Sequence, residues 1–110
     1  LAQLELEQAQ DPRAALQALR QALALEPNDY QTRLLAGILI VQAGNTAEGI
    51  EHLRAAVQLR SDSAEAHYNL ANALAIAGET EQARTHLQTA ARLAPDDATI
   101  RAALATLEGS

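Results

Sequence analysis

The sequence predicts an all-α fold in which antiparallel helix hairpins stack layer upon layer into a solenoid, and three observations predict it. The first is composition: of 110 residues, 26 are Ala and 18 Leu, while aromatics make up 2%. Good helix formers dominate and the β-branched and aromatic residues that favour strands are scarce. The second is a period of 34 residues, visible in the rows Leu19–Leu53–Leu87, Ala22–Ala56–Ala90, Leu25–Leu59–Leu93 and Leu6–Ile40–Leu74, in the pair Gly44–Gly78, and two periods apart in Pro27–Pro95. A merely Ala-rich chain would show no common offset for Leu, Gly and Pro, so the period marks an internal repeat. The third is that apolar residues inside each period recur at helical spacing and stop at Gly or Pro.

Taken in order, the elements are predicted at 1–9, 12–25, 30–43, 46–60, 64–77, 80–94 and 98–108. Asp11 followed by Pro12 suits a helix cap and first helical position. The helix from Tyr30 holds the longest apolar run, Leu34 to Val41, and Gly44 ends it. Asn45 with Glu48, and Asp62 with Glu65, have the spacing of capping boxes for the next two helices. From Ala64 the stripe Ala66, Leu70, Ala73, Leu74, Ala77 is stopped by Gly78. Ala83, Leu87, Ala90, Ala91 and Ala94 then form the stripe that Pro95 stops. Connections this short force antiparallel neighbours. One hairpin cannot bury both its sides, so the next must stack on it; a four-helix bundle would show a heptad register instead of this longer period. Gly49 interrupts a helix where its period-mates are Ala15 and Ala83. Gly costs about 1 kcal/mol there relative to Ala, which predicts a looser second repeat.

Charge and motifs exclude several functions. The formal net charge is −6, with eight Arg and no Lys. That balance, without a basic patch, suits nucleic-acid phosphates poorly. An apolar run of eight residues falls far short of the ~20 that span a bilayer. There is no Cys, and no GxxxxGK[ST] or HExxH occurs. His52 and His86 stand one period apart, but Ala18 holds the third place in their row, so they read as half-exposed spacers and no metal or cofactor is expected. Glu51–Arg54 and Glu81–Arg84 read as surface pairs, and no catalytic site is expected. No secretory leader pattern opens the chain and no Met occupies position 1, which suggests a fragment of a longer protein and leaves cytoplasm and periplasm open. Arg used to the exclusion of Lys suggests a GC-rich bacterial genome.

Leu70, Ala71, Leu74, Gly78, Ala83, Leu87, Ala90 and Pro95 resemble the signature positions of the tetratricopeptide repeat (TPR) family, a helix–turn–helix of 34 residues. On that resemblance residues 1–110 form a single domain. It comprises a partial repeat at 1–29, full repeats at 30–63 and 64–97, and a capping or partial-repeat helix at 98–110. The family's early aromatic is replaced by Arg33, His67 and Arg101, with His67 expected to pack in its stead.

The resemblance implies a right-handed superhelix whose first helices line a concave groove for a peptide or helix of a partner protein. The groove set is then Gln31, Leu34, Leu35, Ile38, Val41 and Gln42 in one repeat, and Glu65, Tyr68, Asn69, Asn72 and Ile76 in the next. Leu4, Glu7, Gln8, Ala102 and Thr106 flank them. Contacts are expected to centre on Leu34, Ile38, Tyr68 and Ile76. Some TPR proteins grip a C-terminal carboxylate with Lys, Asn and Arg; here Leu34, Tyr68 and Ala102 fill the matching row, so that clamp is not expected. Asn69 matches one rung of the Asn ladder of O-linked N-acetylglucosamine transferases, with Leu35 and Ala103 on the neighbouring rungs. The expected function is a non-catalytic protein-binding scaffold. The alternatives are self-association into a homo-oligomer, or a regulatory arm of a larger enzyme or assembly complex.

Overall fold

A computed structural model describes residues 12–109. Six helices follow one another: α1 (Pro12–Leu25), α2 (Tyr30–Gln42), α3 (Thr46–Leu59), α4 (Ala64–Ile76), α5 (Thr80–Leu93) and α6 (Ala98–Glu108). There is no strand among the described residues. Every boundary lies within one residue of its predicted place, because Gly and Pro punctuate the chain. The helix predicted over 1–9 lies outside the described residues.

The ends of α2 and α4 are built alike. Gly44 and Gly78 take φ of 99° and 85°, the left-handed region that only Gly enters without penalty. Asn45 N–H then donates to Ile40 O and Gly44 N–H to Val41 O, and Glu79 and Gly78 repeat the pattern on Leu74 and Ala75. Both are Schellman closures that satisfy the orphan carbonyls. The starts differ from expectation. Ser63, not Asp62, caps α4, its Oγ accepting from Ala66 N–H, because it directly precedes the first helical residue. Asn45 precedes α3 but makes no side-chain cap bond.

Each helix packs chiefly on its sequence neighbours, with α2 also touching α4. The radius of gyration is 14.8 Å and the principal extents are 43 × 31 × 26 Å. A compact domain of this length has a radius of about 13 Å, so the chain is an elongated stack. Its core is continuous through the layers: Leu34, Leu53, Leu70, Leu74 and Leu87 are buried among Ala56, Ala66, Ala71, Ala73 and Ala83. The small residues bring backbones close and the Leu side chains fill the space between.

Gly37 and Gly49 mark the closest approach, where α2 crosses α3. A Cβ on Gly37 would come within 2.5 Å of Leu53 Cγ and 3.1 Å of Gly49 O. One on Gly49 would meet the Val41 side chain, and would lie 2.9 Å from Gly37 O. Gly49 therefore serves a tight seam, and the second repeat is closely packed here, contrary to the looseness its helix propensity suggests.

Where the family places an aromatic, a polar device repeats. Arg33 donates from Nε to Pro27 O (2.8 Å) and from Nη1 to His52 Nδ1 (3.1 Å). His67 makes the same two links one period later, with Nε2 on Ser61 O (2.9 Å) and Nδ1 on His86 Nδ1 (3.0 Å). A carbonyl only accepts, so Nε2 of His67 carries a proton; in the neutral pair His86 Nδ1–H then donates to His67 Nδ1. His67 is buried at 7% exposure and its ring stacks on His86. His52 and His86 are thus fastening groups between the two helices of a hairpin rather than spacers. Burial is the main cause lowering the pKa of each. Arg33 adds to it at His52, and His67 at His86.

Candidate interaction groove

The first helix of each hairpin, α2, α4 and α6, forms one wall of the stack. Three hollows open along it. The smallest, about 160 Å³, lies between α2 and α4 and is lined by Ile38, Val41, Gln42, Asn69, Asn72 and Ile76, with Leu53 and Ala73 at its floor. A second, about 500 Å³, lies at the starts of α4 and α6 between Ile38, Glu65, Tyr68, Asn69, Asp97 and Ile100. A third, about 230 Å³, lies between α4 and α6 and shares Asn72 with the first; Ala75, Ala103 and Thr106 line it.

Most residues named from sequence come together here: Ile38, Val41, Gln42, Glu65, Tyr68, Asn69, Asn72, Ile76 and Thr106 all line one hollow or another. Ile76 is 66% exposed, a large apolar side chain held open to solvent. Leu34 is the main exception. It is 1% exposed and belongs to the core, in one cluster with Leu53, Leu70 and Leu74. Leu35, expected in the groove, is 43% exposed but lines none of these hollows. Gln31 and Ala102 are exposed but line none of these hollows. Leu4, Glu7 and Gln8 lie outside the described residues. Val41 is half-buried and leans on Gly49, so it contributes wall more than grip.

Asp97, Thr99 and Ile100 were missed. Thr99 stands one period after Glu65 and two after Gln31, so the register already contained it; Asp97 precedes its helix and carried no such signal.

The polar groups of the wall are two carboxylates, Glu65 and Asp97, beside the amides of Gln42, Asn69 and Asn72 and the hydroxyls of Tyr68, Thr99 and Thr106. Asn69 donates its amide to Glu65 O at 2.9 Å, which leaves its oxygen outward-bonding. Asp97 Oδ1 accepts from Thr99 and Ile100 N–H at the start of α6. No His, Cys, Asp or Glu grouping of three or more among the described residues is placed to hold a metal, and no described helix is long and apolar enough to cross a membrane.

Two family models, each described as tetratricopeptide repeat, match residues 41–107 and 1–64. The chain belongs to the tetratricopeptide repeat family. A search of curated proteins finds no match. Among solved structures, MamA is 29% identical with a TM-score of 0.86, over 94% of this chain and 60% of that one. An O-GlcNAc transferase mutant of Thermobaculum terrenum is 31% identical with a TM-score of 0.85, over 94% of this chain and 20% of the transferase. YrrB, described as a TPR protein with an unusual peptide-binding site, is 28% identical with a TM-score of 0.80, over 91% of this chain and 50% of that one. The chain therefore spans a fifth to three fifths of the length of these relatives. Family and neighbours support a helical-repeat scaffold for interaction with other proteins.

Proposed function

We propose that this TPR domain is a non-catalytic scaffold that holds a segment of another protein along the α2–α4–α6 wall. Its apolar contacts are Ile38, Tyr68 and Ile76, with Leu35 beside them and Leu34 supporting from the core. Gln31, Glu65 and Asn72 form the rim. The observation that carries this is the apolar hollow between α2 and α4, open to solvent beside an Ile76 that folding leaves uncovered. A concave apolar site with a few convergent polar groups is where a ligand gains most from leaving water. The peptide-binding description of YrrB supports the same reading.

Ile38 lines both the α2–α4 hollow and the hollow at the starts of α4 and α6, so it is the residue to test. Ile38→Glu is expected to abolish binding of leucine-bearing peptides, because it buries a charge in the apolar seat, while far-UV helicity survives. Affinity retained by a folded Ile38→Glu protein argues against this site. A concentration-independent monomer by sedimentation assigns the wall to a foreign segment; a dimer that Ile38→Glu dissociates assigns it to a second copy.

A further inference from the structure

We propose that the segment held in this groove carries a lysine or arginine close to an aliphatic residue, the aliphatic side chain entering the α2–α4 hollow and the cation settling between Glu65 and Asp97 over Tyr68. This rests on the groove reading above and goes further by fixing the ligand's charge.

The two hollows are neighbours, since Ile38 and Asn69 line both. One is chiefly apolar and of a size for a single aliphatic side chain. The other is rimmed by two carboxylates and an aromatic face. Glu65 is exposed at the start of α4 and its carboxylate forms no ion pair or hydrogen bond. Asp97 caps α6 through Oδ1 alone, which leaves its other oxygen for a ligand. Tyr68 is half-buried beside them, and an aromatic face attracts a cation held over it. The Asn69 oxygen adds a further acceptor.

Among the described residues no ion pair answers Glu65 or Asp97, and no Arg or His lines either hollow. Six of the eight arginines are engaged elsewhere: Arg33 on Pro27 and His52, Arg54 on Gln82, Arg20 on Glu48, Arg84 on Glu81, Arg92 on Thr89, Arg60 over Tyr30. An anionic ligand would meet carboxylates with no cation to receive it. A cationic one meets two carboxylates, and the chain's net charge of −6 draws it in from a distance.

The test uses synthetic dodecapeptides, acetylated and amidated, with one leucine in an alanine–glycine frame. Lysine, glutamine or glutamate is placed one to four residues from the leucine, and binding is followed by amide shifts of the ¹⁵N-labelled chain at low salt. At least one lysine peptide is expected to bind about three- to fivefold tighter than its glutamate counterpart, the range of an exposed ion pair, moving Ile38, Tyr68, Asn69 and Thr99. Glu65→Gln, or added salt, is expected to erase that preference and leave the leucine-dependent part. If leucine peptides move the groove amides equally whatever the charge beside them, the cation site is wrong and the groove stands. If no peptide moves those amides, both fall.

Discussion

Exchanging a helical glycine for alanine ordinarily strengthens the helix by about 1 kcal/mol; at position 49 the sign reverses. The added methyl would meet Val41, and backbone atoms of Gly37 and Val41 at 2.9 and 3.1 Å, which cannot turn aside as a flexible side chain can. Gly49→Ala is expected to destabilise the fold by about 1–3 kcal/mol, the usual range for overpacking, read as a lower urea midpoint at unchanged slope; a rise in the midpoint shows the seam to be looser than drawn. The sequence presented Gly49 only as a gap in a pattern of Ala, since the partner that makes it necessary, Gly37, lies on another helix. Leu34 was misplaced for a related reason. From Leu34 to Val41 every residue is apolar or Gly, so the run carries no phase, and only the packed stack separates Leu34, 1% exposed, from Leu35, 43% exposed.

Between elements, the His67–His86 bond ties α4 to α5 and the Arg33–His52 bond ties α2 to α3. His52 uses Nδ1 as an acceptor toward a permanent cation, so its protonation sets two donors face to face. The charged groups acting on these rings are Arg33, Arg20 and Glu48 around His52, and Arg54 together with His67 around His86; only Glu48 favours the protonated form. Both folded pKa values lie below the ordinary histidine value of 6.5. The unfolded chain therefore takes up protons first as pH falls. Stability is fully present above about 6.5 and declines as pH drops through the lowered folded values. Urea titrations at pH 7.5 and 5.5 are expected to show lower stability at 5.5, with a smaller drop in His86→Gln; equal drops in both proteins argue against His86 as a source. Helix existence and ends were legible because Gly44, Gly78, Pro27 and Pro95 are local signals. The fastening role of His52 and His86 was not, since each bond spans 19 residues and replaces an aromatic that sequence matching had recorded only as missing.

At the scale of the whole molecule the stack was legible from one number, the 34-residue spacing of its Leu, Ala and Gly rows, because nearest-neighbour layering repeats each contact at that interval. Which polar groups converge on the inner wall was legible only in part, since Asp97 enters it from a connection between helices. The same layering sets an order of opening. Among the described helices α6 rests mainly on α5, whereas α2 to α5 are each packed on both sides. Amide exchange is expected to be faster along Ile100–Leu107 than across Leu34–Ile40 and Leu70–Leu74; uniform protection would show the stack opening as a single unit. Yet α6 also supplies Asp97, Thr99 and Ile100 to the larger hollow. The larger hollow thus draws one side from α4, packed on both sides, and the other from α6, packed mainly on one. Any guest that bridges the two adds its own affinity to the hold on α6, so arrival of the guest and quieting of the last helix become a single thermodynamic event.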